Sequence, residues 1–244
     1  MKMLFCSLLA ALSLGQAVAG EVITLGAEDD WAPYSSVVDR QAKGFAVDVV
    51  REAYALVGIT AKFDVLPYSR CMSDTKAGTL LACFDAVPNA MIAKHYLWPK
   101  LPLFTTHMNV YALADSTAQD MVASKLEGRT VGVERGYEYG DEFDMNTKIV
   151  RKIVDKNFQG FRMLLAKRIE FMAAEERIAK ALFLRFPAEF GGKFKLVGTV
   201  ATPGLFIAFS KSAPDSERYL KKFNEGYAIL RNSPRYAEIE AKWF

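Results

Sequence analysis

The sequence predicts an α/β protein built as two units, and three observations carry that prediction. Between Val22 and Val87, short β-branched runs alternate with helical periodicity in the order β-α-β-α-β, the pattern of a largely parallel sheet with helices on its faces. A polar stretch from Asp115 to Gly128 then interrupts the apolar patterning, and Gly128-Arg129-Thr130-Val131-Gly132-Val133 opens a second unit. The length of 244 residues suits two lobes of roughly 100 residues each, or one large domain.

Val22 to Ala27 is a strand that runs into Glu28-Asp29-Asp30-Trp31-Ala32-Pro33-Tyr34, where proline and the acidic cluster predict a loop. The strand thereby delivers aromatics to a sheet edge. From Gly44 onward, Phe45, Val49, Val50, Ala53, Tyr54 and Val57 recur at helical spacing, and Gly58 in the C′ position closes an amphipathic helix. Thr60 to Leu66 is the next strand, Pro67 to Ala77 a helix ended by Gly78, Leu80 to Val87 a third strand and Met108 to Ala114 a fourth. In the second unit a strand around Thr130 to Glu134 precedes a glycine-flanked loop, Gly136-Tyr137-Glu138-Tyr139-Gly140, and a helix near Phe158 to Ala166. Ile169 to Ala173 reads as a strand and Glu175 to Phe186 as an amphipathic helix. Lys195 to Thr199 and Leu205 to Phe209 read as strands on either side of Pro203-Gly204. From Pro214 the pattern is helical to the end: Leu220, Phe223, Tyr227 and Leu230 share a face, and Ser233-Pro234 starts a last helix.

Composition narrows the function. A hydrophobic share of 51% and a charged share of 24% exclude a disordered chain and a membrane-resident body. With 31 basic and 28 acidic residues the net charge is +3, too small to argue for nucleic acid or an anionic lipid surface. Two His and three Cys are too few for a multi-His metal centre or an iron–sulfur cluster, so neither metal nor cofactor is expected. Lys2, the apolar run Leu4 to Leu14 and Ala17-Val18-Ala19 have the layout of an export signal over residues 1–19. The apolar run is shorter than the ~18–20 residues of a spanning helix, so no membrane insertion is expected after cleavage. In an oxidising compartment Cys71 and Cys83, the thiols remaining once Cys6 is removed, favour a structural disulfide. Two separate buried thiols are the alternative.

Several segments stand in a telling order: Trp31-Ala32-Pro33-Tyr34, Gly44-Phe45-Ala46-Val47-Asp48-Val49, Leu126-Glu127-Gly128-Arg129-Thr130-Val131-Gly132-Val133, Leu164-Leu165-Ala166-Lys167-Arg168-Ile169-Glu170, and Phe206 to Ser212 with Pro214. This order resembles the extracellular solute-binding proteins of the polar amino-acid type that serve ATP-driven importers, over essentially the whole chain after residue 19. The resemblance implies a type II periplasmic-binding-protein-like fold, two α/β lobes joined by crossing strands near Tyr111 to Ala114 and near Gly204 to Ile207. Lobe 1 is then discontinuous, 20–112 and 205–244, and lobe 2 covers 113–204. It further implies a periplasmic monomer that closes by a hinge on a small-molecule solute and docks on an ABC permease, with no nucleic-acid partner.

In such proteins an aromatic after the first strand stacks on the ligand, and Trp31 and Tyr34 match that position; packing of the loop against the first helix is the alternative. Asp30, beside Asp29, is placed to bind an ammonium or simply to be solvated. Tyr68 and Arg70, in Pro67-Tyr68-Ser69-Arg70-Cys71, resemble a subgroup with a Pro-aromatic-x-Arg-Cys helix start. Arg70 offers a planar fork to a carboxylate, or pairs with Asp74 one turn on. Amino-acid binders of this type carry Thr-x-x-Arg after the third strand to grip the α-carboxylate. Here Pro88-Asn89-Ala90-Met91-Ile92-Ala93-Lys94-His95-Tyr96 has no Arg, which leaves Asn89 and Lys94 as polar candidates and points away from an ordinary amino acid. Glu175 falls where the family places its ammonium-binding acid, with a helix N-terminal role as the alternative. Tyr137, with Gly136, falls where the family's second-lobe loop meets the ligand.

Two other classes compete with a binding protein. Cyclohexadienyl dehydratases resemble these binders, and such an enzyme would need a proton donor such as Glu175 or His95 over the cleft. No Ser/His/Asp order, phosphate loop or zinc motif is present, so a non-enzyme with no catalytic residues is expected. The remaining class is a ligand-sensing partner of a membrane receptor.

Overall fold

The computed structural model describes residues 20–244, and the export signal expected at residues 1–19 lies outside the described residues. The first half of the chain comprises β1 (Glu21–Glu28), β2 (Asp30–Trp31), β3 (Ser35–Val38), β4 (Gln41–Lys43), α1 (Phe45–Ala55), β5 (Ile59–Leu66), α2 (Tyr68–Ala77), β6 (Ala82–Ala86), β7 (Tyr96–Leu97), β8 (Phe104–Thr105) and β9 (Met108–Leu113). The second comprises β10 (Thr130–Glu134), α3 (Asp141–Asp144), β11 (Val150–Val154), α4 (Asn157–Leu165), β12 (Phe171–Glu175), α5 (Glu176–Arg185), α6 (Pro187–Phe190), β13 (Phe194–Ala201), β14 (Gly204–Ser210), α7 (Ser216–Arg231) and α8 (Pro234–Trp243). The small antiparallel sheet β2-β3-β4 and the edge strand β11 were not expected. Val150 and Ile153 of β11 are exposed, so no alternating buried face marks that strand in the sequence.

The two main sheets share one plan. The first has the order β5-β1-β6-β14-β7, with β8 also on β14; the second has the order β11-β10-β12-β9-β13. In each, three parallel strands are followed by an antiparallel strand that arrives from the other lobe: β14 beside β6, and β9 beside β12. The chain therefore passes between sheets at Thr106–His107 and returns at Thr202–Pro203. The crossings expected near Tyr111 to Ala114 and near Gly204 to Ile207 lie just before those ranges, at the starts of β9 and β14, while the ranges themselves are paired strand, Tyr111 facing Met172 and Phe206 facing Ala86. An apolar strand pattern shows that a segment is buried but not which sheet it joins. His107 Nδ1 lies 3.0 Å from Thr202 Oγ1 and the Thr106 N–H donates to the Pro203 carbonyl at 3.1 Å, so the two crossings are held together.

Local chemistry accounts for the element ends. Gly78 terminates α2 in the left-handed region, φ 86, a conformation that a side chain disfavours. On the first lobe α7 packs on α1 so closely that the Gly226 position nearly touches the Ala53 carbonyl. In the second lobe Phe161, Phe183, Phe190 and Phe194 interlock, with Phe161 and Phe194 centroids 5.0 Å apart.

Cys71 of α2 and Cys83 of β6 form a disulfide with their Cα atoms 5.9 Å apart, and both are fully buried. Closing a loop of this size restricts the unfolded chain by about 3 kcal/mol. The Cys71→Ala/Cys83→Ala protein is therefore expected to melt roughly 6–12 °C below the parent. Calorimetry of both proteins checks this, and a parent with two titratable thiols would exclude the bond.

Candidate functional site

The inner parallel strands of both sheets end in acids. Glu28 closes β1, Asp85 is the penultimate residue of β6, Glu134 closes β10 and Glu175 closes β12, and all four are buried. In α/β sheets ligands collect beyond the carboxyl ends of the strands, and here those ends face each other across the interlobe cleft. The lobes are closed on one another. Tyr137 Oη donates to Glu28, Tyr68 Oη to Glu138 at 2.7 Å and Tyr34 Oη to Glu175 at 2.9 Å. The rim is held by Lys156 with Asp29 at 3.1 Å, by Asn89 Nδ2 donating to Asp144 at 2.7 Å, and by the Ala90 N–H donating to Asp141 at 2.8 Å.

The buried acids fall into two groups. Glu175 caps α5, accepting the Ile178 N–H at 2.7 Å, and also accepts the Tyr34 and Thr106 hydroxyls. Glu134 accepts the Asn157 N–H at 3.1 Å at the start of α4, together with the Asn157 side-chain amide. These two acids join helix N-termini to the cleft wall. Glu28, Asp85 and Glu138 instead line a small cavity with Trp31, Tyr68, Val87, Met108 and Tyr137. Its volume is about 10 Å³, room for little more than one water-sized sphere. Of its lining residues, Asp85 and Trp31 have buried polar atoms, both carboxylate oxygens and the indole N–H, without a hydrogen-bond partner. Asp85 has only 6% of its surface exposed and a left-handed backbone, φ 68. Unpaired buried carboxylate oxygens are expensive unless a partner satisfies them.

The acid chemistry agrees. Burial, reinforced by neighbouring acids, holds Glu28 and Asp85 well above the usual carboxylate range. Burial also pushes Glu134 and Glu138 up to about 8. Lys156, bound to Asp29, is the cation that lowers Glu28 and Glu134.

The nine residues expected at a ligand divide by position. Trp31, Tyr68 and Tyr137 line the cavity. Tyr34, Asn89 and Glu175 are buried at the lobe contact with protein partners on their polar atoms, and Tyr34 stacks on Phe104 at 4.3 Å. Asp30 stands at the rim, 3.5 Å from Lys156. Arg70 and Lys94 are outside. The Arg70 side chain is 69% exposed and pairs with Asp74 at 2.6 Å, the local i,i+4 option. Lys94 sits exposed on a short 3-10 turn, Ala93–His95. A helix start is reached by several side chains, and only packing decides which of them faces the cleft. Glu28, Asp85 and Glu138 were not anticipated. The signal was present for Asp85, a charge inside the apolar run Ala82-Cys83-Phe84-Asp85-Ala86.

A pH dependence follows. The raised carboxyls bind protons more tightly folded than unfolded, so their contribution to stability is complete below the unfolded value of 4.5 and falls as pH climbs to about 8. Tyr68, Tyr137, Tyr139, Asp144, Asp29, Asp30 and Lys156 face these acids, and of them Lys156 alone favours ionisation by its charge. Acids held low, such as Glu21 and Glu127, lose their contribution only below 4.5 and do not offset the trend. The Tm of the ligand-free protein should fall steadily between about pH 5 and about pH 8.5. A Tm that rises over this range would show that the acids are solvated and the lobes stand apart.

The fold has many solved counterparts. An ancestral arginine-binding protein bound to arginine superposes with TM-score 0.76 at 18% identity, covering 91% of this chain and 98% of that one. The arginine-, lysine-, histidine-binding protein ArtJ of Geobacillus stearothermophilus superposes with TM-score 0.77 at 16% identity, covering 92% and 95%. A histidine kinase sensor domain with similarity to periplasmic binding proteins superposes with TM-score 0.76 at 21% identity, covering 92% and 96%. At these identities the likeness is one of fold. No curated protein matches the sequence. Among the described residues no helix is long and apolar enough to cross a membrane. The profile of the bacterial extracellular solute-binding proteins, family 3, matches residues 23–244, and the chain belongs to that family.

Proposed function

We propose that the protein acts in the periplasm as a monomeric, non-enzymatic receptor. It captures a small polar solute, an amino acid or a related amine or carboxylate, between its lobes and presents the closed form to an ABC permease. The observation that carries this reading is the cavity between the closed lobes, lined by Asp85 and Trp31, whose buried polar atoms have no partner. A ligand that satisfies those groups contacts both lobes only when they are closed, and its differential affinity shifts the population toward closure. The names of the fold relatives, arginine-binding proteins among them, support solute capture for import.

Thermal-shift screening of residues 20–244 against amino acids, amines, small carboxylates and aromatic precursors tests the proposal. A ligand specific to the native state stabilises it by about 2.7 kcal/mol at a hundred times its Kd. No shift across the panel, together with turnover of prephenate or arogenate, would replace the receptor with a dehydratase-like enzyme. The likeness to a sensor domain motivates a second reading, a ligand-sensing partner of a membrane receptor. Stimulation of permease ATPase activity by the liganded protein favours import over sensing.

A further inference from the structure

We infer that the cleft selects a small organic cation that carries no carboxylate, an alkylamine or guanidine compound whose charged nitrogen sits among Asp85, Glu28 and Glu138 beside the Trp31 ring. The inference rests on the solute-capture reading and narrows it.

The cavity wall contains three carboxylates and three aromatic rings, with Val87 and Met108, and no Lys, Arg or His. A cation placed among these acids draws them into the ionised form, and carboxylates backed by aromatic faces then stabilise its charge. A zwitterionic amino acid would bring its carboxylate into this wall without a cationic partner. The adjoining pocket, which shares Glu28, Tyr68 and Tyr137, holds two cations, but Lys156 is already held by Asp29 at 3.1 Å and Asp30 at 3.5 Å and Arg135 by Asp155 at 2.9 Å, while Arg70 and Lys94 lie outside the cleft. The free Trp31 N–H is one neutral donor, which a hydroxyl or carbonyl on the ligand can accept; it does not balance a carboxylate set against three acids.

Asp85 supplies the independent sign of a ligand, because both its oxygens are buried and bare. The other two acids show what a ligand would replace. Glu28 and Glu138 each accept a phenol O–H, from Tyr137 and Tyr68 of the opposite lobe. Those hydroxyls occupy the places that the N–H groups of an ammonium or guanidinium take when the lobes part enough to admit it. A metal ion fits less well, since no group of three His, Cys, Asp or Glu among the described residues is arranged to hold one.

The experiment is isothermal titration of residues 20–244 with matched pairs that differ by one carboxylate: putrescine and ornithine, cadaverine and lysine, agmatine and arginine, histamine and histidine. At least one amine is expected to bind about tenfold or more tighter than its parent amino acid. Asp85→Asn should weaken that amine about a hundredfold while the circular dichroism stays unchanged. Should Asp85→Asn fail to fold, Glu138→Gln must weaken the amine while leaving the melting cooperative. An amino acid that binds as tightly as its amine, a carboxylate that binds alone, or Ca²⁺ or Mg²⁺ that binds in place of the amines would overturn the inference. An amino acid or carboxylate ligand would leave solute capture standing. Absence of any ligand across the wider screening panel would overturn both.

Discussion

Glu175→Ala is expected to lower the unfolding free energy by about 3–5 kcal/mol, and Glu175→Gln by under about 1 kcal/mol. The truncation removes the cap from the Ile178 N–H, a loss of about 1 kcal/mol. It also leaves the hydroxyls of Tyr34 and Thr106 buried without an acceptor, about 1–3 kcal/mol each. Glu175 is almost fully buried, so bulk water does not replace the missing oxygens. At this chain length the Tm should drop by roughly 8–15 °C. The Gln carbonyl keeps the cap, and either hydroxyl can rotate to accept from the amide. Burial raises the Glu175 carboxyl above its usual range, so the neutral amide is a close substitute for the native group. Tyr34 belongs to the first lobe, Thr106 to a crossing segment and α5 to the second lobe, so one carboxyl joins all three. An Ala variant with the parent's Tm would remove Glu175 from that role.

Gly226→Ala is expected to destabilise the protein by about 2 kcal/mol or more, although alanine is the better helix former. Two effects oppose each other. Helix propensity favours the substitution by about 1 kcal/mol in the interior of α7. Against it, the new Cβ would stand 1.8 Å from the Ala53 carbonyl oxygen and 2.8 Å from its carbon. The obstacle is backbone of α1, whose Val49, Val50, Ala53 and Tyr54 are buried, so it cannot swing aside as a side chain would. The helices must separate, and the packing lost exceeds the propensity gained. Chemical denaturation of the two proteins measures the difference. A variant as stable as the parent would mean that α7 sits farther from α1 than its packing here.

How legible these features were depended on their range. The helices α1, α2 and α7 were predicted nearly to their ends, because spacing, a C′ glycine and a proline start are written within one or two turns of chain. The hairpin β3–β4 was not seen, since Ser35-Ser36-Val37-Val38 has neither a long run nor a turn dipeptide. Trp31, Tyr68 and Tyr137, singled out by the resemblance of their segments to solute-binding proteins, line the cavity. Arg70 was misplaced because a helix start alone does not specify which way its side chains face.

The sequence by itself determined the α/β alternation, the two-lobed division and the want of an arginine after the third strand, all properties of neighbouring residues. Only the tertiary structure decided that Glu28, Asp85 and Glu138 share one cavity, that Glu175 is held by three elements, and that Asp85 alone among these acids has no partner. These acids lie on separate strands and loops of two lobes. Glu28 and Asp85 stand side by side at the ends of the neighbouring strands β1 and β6, and closure adds Glu134 at the end of β10 from the other lobe, so their burial and mutual repulsion belong to the folded sheets and not to any one segment.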